Sequence, residues 1–217
     1  MTTDVSPMPS DAGLPVAVSP AVPPADGPTA PALGFPPLSD AEARVLGCLV
    51  EKQLTTPDSY PLTLNAVMAA CNQKNNRHPV TDYDERTLAR ALDALREKRL
   101  VWLVGQPGRV PKYEHHLLEC ISVADPGQVA VLCELMVRGP QTAGELRSRA
   151  GRMHSFSSRG EVQDALDEMA ARPVPLVVRL PRQPGCKECR YLHTLADMPE
   201  TASGTEPSPL PPPEPTR

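Results

Sequence analysis

One short element occurs twice in this chain, and two copies of an element imply two copies of a fold unit. Gln106-Pro107-Gly108 precedes Lys112-Tyr113-Glu114-His115. About 77 residues later, Gln183-Pro184-Gly185 precedes Arg190-Tyr191-Leu192-His193. Each copy follows an amphipathic pattern and a short apolar run. A turn, a basic residue, an aromatic and a histidine recur in the same order.

The stretches before each copy align as well. Ser39 with Glu42 has the spacing of a capping box, in which each side chain satisfies the other's orphan amide. Behind it Val45, Leu46, Leu49 and Val50 form one apolar stripe. Asp125 with Gln128 repeats the signal, with Pro126 where a missing N–H costs nothing. Val131, Leu132, Leu135 and Met136 repeat the stripe at a shift of 86. A second helix is expected over Thr63–Asn72, with Leu64, Val67 and Met68 inward. Its counterpart starts at Thr142 with Glu145, at a shift of 79. The difference is an extra seven residues in the first connection, around Pro57 and Pro61. A third helix is expected to start at Asp82 with Glu85, and its counterpart at Ser158 with Glu161. Strand-like runs follow at Leu100–Val104 and Leu176–Leu180, each leading through the Gln-Pro-Gly turn into a returning strand. Three helices and a β-hairpin are the winged-helix order, with helices two and three as the helix-turn-helix and the hairpin as the wing.

Composition sets the boundaries. Residues 1–37 hold 10 of the 28 prolines and residues 199–217 hold 7. Such segments bury too little apolar surface to offset chain entropy, so both are expected to be disordered tails. They also hold six acidic side chains against the single Arg217, so the net charge of −4 belongs to the tails and the core is near neutral. The expected fold is mainly α (α+β), with two tandem winged-helix domains, each three helices plus a β-hairpin wing. Domain 1 spans 38–120 and domain 2 spans 121–198. No apolar run is long enough for a membrane span. No basic region leads into an apolar one at the N-terminus, so no secretory signal is expected. The six cysteines lack the spacing of a disulfide framework, which suits a reducing cytoplasm.

Several stretches resemble the YceH-like family of bacterial proteins. They are Thr56-Pro57-Asp58-Ser59-Tyr60-Pro61-Leu62, Ala70-Cys71-Asn72-Gln73-Lys74-Asn75-Asn76-Arg77, Arg138-Gly139-Pro140-Gln141-Thr142, Gly144-Glu145-Leu146-Arg147 and Leu180-Pro181-Arg182 with Pro184-Gly185. The resemblance covers nearly all of 38–195 and implies tandem winged helices. It implies no activity. The chain departs from the family in its long tails and in Cys186 and Cys189 on the second wing.

Two readings of function fit. The first is a non-catalytic DNA-binding, transcription-regulator-like protein on double-stranded DNA. Its candidate contacts in the first unit are Lys74, Arg77 and His78 in the connection, Arg86 and Arg90 on the third helix, and Arg109 and Lys112 at the wing. Those in the second unit are Arg147, Arg149 and Arg152, with Arg159 beside them. Phosphate contacts from such groups position a protein on a duplex. Acidic residues count against it: Asp82, Asp84 and Glu85 at one third helix, and Glu161, Asp164, Asp167 and Glu168 along the other, repel phosphates. The bland alternative for the connection is that Asn72, Gln73, Asn75 and Asn76 hydrogen-bond it into shape. The second reading is a protein-interaction scaffold, like the tandem winged-helix subunits of chromosome-segregation complexes. A homodimer fits either. Cys186-Lys187-Glu188-Cys189 is half of a tetrahedral metal site without its other half, or a redox pair, or two thiols on an exposed wing. Cys48, Cys71, Cys120 and Cys133 fit as small buried or half-buried residues. His115 and His193 hold matching places and are read as closing each hairpin. The common catalytic and cofactor motifs do not occur, so no enzyme, cofactor or metal is expected.

Overall fold

The computed structural model describes residues 33–105 and 107–196. Most of both proline-rich segments, and Gln106 of the first repeated turn, lie outside the described residues. The fold is mixed α+β and mostly helical. In chain order it runs α1 (Asp40–Thr55), β1 (Leu62–Thr63), α2 (Leu64–Cys71), α3 (Glu85–Glu97), β2 (Val101–Val104), β3 (Lys112–His115), α4 (Leu117–Cys120), α5 (Pro126–Arg138), α6 (Ala143–Ala150), α7 (Arg159–Ala170), β4 (Val177–Arg179) and β5 (Tyr191–His193). Three helices and an antiparallel hairpin therefore occur twice, with α4 between them.

The helix starts follow the capping chemistry. Glu42 N–H donates to Ser39 Oγ at 3.3 Å while Ser39 N–H donates to the Glu42 carboxylate at 2.6 Å. Thr142 and Glu145 form the same reciprocal pair. Asp125 caps α5 on one side only, because Gln128 reaches across to Glu168 at 2.7 Å. Ser158 caps α7, and Glu161 turns instead to the N–H and Oγ of Ser157. The third helix of the first unit corrects the expected start. Its cap is Asp84, which accepts from Thr87 N–H at 2.7 Å, two residues after Asp82. The cause is non-local. The Asn72 amide clamps Tyr83 through both main-chain groups, at 2.8 and 2.9 Å, and fixes that residue just ahead of the cap.

The first hairpin is a three-stranded sheet. β3 lies between β2 and β1, with Val101 opposite His115 and Leu62 opposite Tyr113. The second hairpin pairs Val177 with His193 and Arg179 with Tyr191. Where the first unit has β1, the second has a single bridge between Gln141 and Tyr191.

The two first helices pack on each other. Val45–Val50 and Val129–Val137 are buried without interruption, so each helix is covered on more than its one apolar stripe. The approach is closest at Gly47, where an added Cβ would lie 2.9 Å from both Met136 Cβ and Val137 Cγ1. Cys133 Sγ also donates to Gly47 O at 3.4 Å. Leu38 N–H donates to Leu195 O, which ties the start of the first unit to the end of the second. Cys48, Cys71 and Cys133 are buried as expected, whereas Cys120 is exposed at the end of α4.

The repeated histidines sit at the base of each hairpin. His115 Nε2 lies 2.6 Å from Gln53 Oε1 on α1, and His115 N–H donates to Tyr60 Oη at 2.7 Å. His115 is 6% exposed and His193 7%. Burial pushes both imidazoles down, from the usual 6.5 to about 4.

Candidate nucleic-acid interface

The structure sorts the candidate cations into two groups. Arg77 leaves the candidate set. It is 4% exposed, and its guanidinium forms a bidentate pair with Glu51 of α1 and donates to Ala70 O at 3.0 Å. A side chain enclosed in this way does not reach a phosphate. Arg152 is also committed inward: it bridges Glu51 and Glu134, the second contact at 2.6 Å. Arg149 donates to Gln141 at 2.9 Å and lies 3.4 Å from Glu145.

These contacts give the Lys74–His78 connection a structural task. Glu51 is buried on α1 and Glu134 on α5, and burial alone would raise the Glu51 carboxyl group. The Arg77 hydrogen bond and charge, with the charge of Arg152, instead hold Glu51 below the usual carboxylate range. Arg138 pairs with Glu134 at 3.0 Å and also contacts Asn76. His78 N–H donates to Val137 O at 3.1 Å. The connection is thus a strap between α1 and α5. Asn72 and Asn76 shape it through their side chains. Sequence spacing does not show this, because Arg77 and Glu51 are 26 residues apart.

The remaining candidates are exposed. Lys74 and His78 lie on the outside of the strap. Arg86 and Arg90 lie on the open side of α3, and Arg109 and Lys112 lie at the first hairpin. Arg147 is exposed and donates to Ser157 O at 3.1 Å. The same hairpin presents apolar surface: Trp102, Leu103 and Val110 are 55%, 46% and 69% exposed. Trp102 stacks on His116 with ring centres 4.1 Å apart.

The second unit contains a cationic recess that the spacing of its basic residues did not reveal. Arg159 at the first turn of α7, Arg179 at the end of β4, and Arg182 and Lys187 in the loop line a hollow of about 140 Å³ with Cys189. Glu188 also lines it and is paired with Arg159 at 2.7 Å. Arg179, Arg182 and Lys187 form no salt bridge among the described residues. The guanidinium of Arg179, and then that of Arg182, holds the Cys189 thiol below its ordinary value. The available signal was density: Arg179, Arg182, Lys187 and Arg190 fall within twelve residues around one acid. Of the acidic side chains on α7, Glu161 accepts from Ser157, Asp167 from Gln163 and Glu168 from Gln128, while Asp164, Asp167 and Glu168 are all exposed.

Among the described residues no helix is long and apolar enough to cross a membrane. Residues 38–186 match the family described as "Protein of unknown function, DUF480". A UPF0502 protein of Geotalea daltonii is 53% identical over 79% of this chain and 78% of its own length. UPF0502 proteins of Geobacter sulfurreducens and Opitutus terrae are each 52% identical, over 76% and 82% of this chain and 75% and 78% of their own lengths.

Proposed function

Since the chain belongs to the DUF480 family of bacterial proteins, whose description carries no activity, we propose a function from its residues: a non-catalytic, cytoplasmic, tandem winged-helix protein that binds double-stranded DNA. In this reading residues 38–120 and 121–198 are the two winged-helix domains. The twofold order of three helices and a hairpin supports it. The stretches quoted for the YceH-like resemblance all lie inside the matched span, which supports that finer placement.

The observation that carries the reading is the recess at the start of α7. Arg179, Arg182 and Lys187 stand beside a helix N-terminus, where backbone N–H groups and the helix dipole favour an anion. One carboxylate lines the hollow, and Arg159 already neutralises it. A duplex phosphate fits that chemistry. Exposed Arg86, Arg90, Arg109 and Lys112 supply the matching contacts from the first unit. The acidic face of α7 favours contact at the helix start and hairpin, away from Asp164 and Asp167.

Affinity for a random duplex is expected to fall with salt, at a log-log slope of roughly 0.9 per phosphate contact. Arg182→Gln with Lys187→Gln should reduce the slope by about 1.8, and Lys74→Ala by at most about 0.9. Fluorescence anisotropy against salt reads this directly. Absence of duplex binding at low salt, or an unchanged slope in the double variant, would overturn the reading.

A specific observation favours the interaction-scaffold alternative. Trp102 exposes an apolar face on the first hairpin, with Leu103 on the opposite side of β2 and Val110 in the connecting loop, and such surface is more typical of protein binding than of phosphate binding. If a protein, or a second copy of this chain, covers that face, Trp102→Ala should abolish a nuclease-resistant complex seen by size-exclusion chromatography. Under the DNA reading Trp102→Ala leaves the salt slope unchanged.

A further inference from the structure

The loop between β4 and β5 carries chemistry that DNA contact does not use. Leu180 N–H donates to Arg190 O at 2.8 Å and closes the loop at its base. Inside it, Gly185 turns the chain with φ 79°, and Cys186 N–H donates to Gln183 O at 3.0 Å. Cys186 is exposed at that turn, and Cys189 follows three residues later in the cationic recess. The two thiols lie three residues apart within one closed loop, at the spacing of Cys-X-X-Cys redox motifs.

We propose that Cys186 and Cys189 form a hydroperoxide-reactive dithiol, in which Cys189 attacks and Cys186 resolves. The basis is the set of groups around the two sulfurs. Arg179, Arg182 and Lys187 surround Cys189, and the one neighbouring carboxylate is occupied by Arg159. Such surroundings favour a thiolate, the nucleophilic form, and Cys189 is displaced in that direction. They also stabilise the anionic oxygen that departs from a peroxide. The other cysteines lack this setting. Cys48, Cys71 and Cys133 are buried, and Cys120 is exposed but its thiol is pushed up by partial burial and by Glu119.

The steps balance. Cys189 loses its proton to solvent, and its thiolate attacks one oxygen of the hydroperoxide. A sulfur–oxygen bond forms as the O–O bond breaks. Sulfur is oxidised to the sulfenic acid, and the departing oxygen takes a proton and leaves as an alcohol, or as water from hydrogen peroxide. The Cys186 sulfur then attacks the sulfenic sulfur, the sulfur–oxygen bond breaks, and the hydroxyl leaves with the Cys186 proton as water. In sum, two thiols and one hydroperoxide give one disulfide, one alcohol and one water.

The test uses the full chain, reduced and then treated with limiting hydrogen peroxide near neutral pH. Peptide mapping should find a Cys186–Cys189 disulfide. In Cys186→Ser protein, dimedone should label Cys189. In untreated wild-type protein, iodoacetamide below neutral pH should alkylate Cys189 roughly tenfold faster than Cys120, the exposed internal control. Arg179→Gln with Arg182→Gln should remove that advantage. Labelling confined to Cys120, or equal rates at the two thiols, overturns the proposal. The alkylation comparison needs no variant, so it stands even if a substitution disturbs the loop.

Discussion

Replacing Arg77 with alanine is expected to destabilise the fold by about 3–5 kcal/mol, because it leaves a buried carboxylate short of its main partner. Glu51 is 1% exposed, and its two oxygens are held by Arg77 and Arg152. Arg152 remains in the variant, so the loss should fall toward the lower end of that range. Lys74→Ala, three residues away but exposed, should change stability by less than about 0.5 kcal/mol. The double variant Glu51→Leu with Arg77→Met should recover much of the loss, since it removes both charges and keeps apolar volume. Urea unfolding of the four proteins measures each value. A loss below about 1 kcal/mol for Arg77→Ala would mean that the guanidinium is a surface group, as its sequence neighbourhood suggests.

Acid should unfold this protein in a window set by its two hairpin histidines. Both rings have a folded pKa near 4, below the usual 6.5, because both are buried. Between those values the unfolded chain binds protons that the folded chain does not. Stability from this source is therefore fully present above about pH 6.5 and is lost as pH falls toward 4. Each ring contributes roughly 3 kcal/mol over that interval. Together they approach the roughly 5–15 kcal/mol that holds a whole domain folded. Urea midpoints at pH 7, 5.5 and 4.5 should fall steadily, and His193→Gln should flatten the fall. A midpoint that stays level down to pH 4.5 would contradict this.

What could be read from the sequence was local. Ser39, Thr142, Asp125 and Ser158 announced their helices because a cap and its N–H lie within three residues. The two hairpins were visible because an apolar run, a turn and a Tyr-X-His strand are contiguous. The missed features depend on contacts between distant residues. The start of α3 moved from Asp82 to Asp84 because Asn72 holds Tyr83. β1 has two residues and no period to detect. Arg77 read as a surface cation because its partner, Glu51, sits at the end of an apolar stripe on another element. The recess around Cys189 was missed for a related reason. Its cations are close in sequence, but only the fold brings the β4–β5 loop against Arg159 at the start of α7.

The close approach at Gly47 has a consequence for synthesis. The surface of α1 that meets Met136 and Val137 has no cover until α5 has been made. Ninety residues separate Gly47 from Val137, which at roughly 5–20 residues per second is an interval of about 5–18 seconds. During that time the first unit can form its own helices and hairpin but cannot bury the flush face of its central helix. The newborn chain therefore passes through a stage with an apolar ridge open to chaperones, and it leaves that stage when α5 docks.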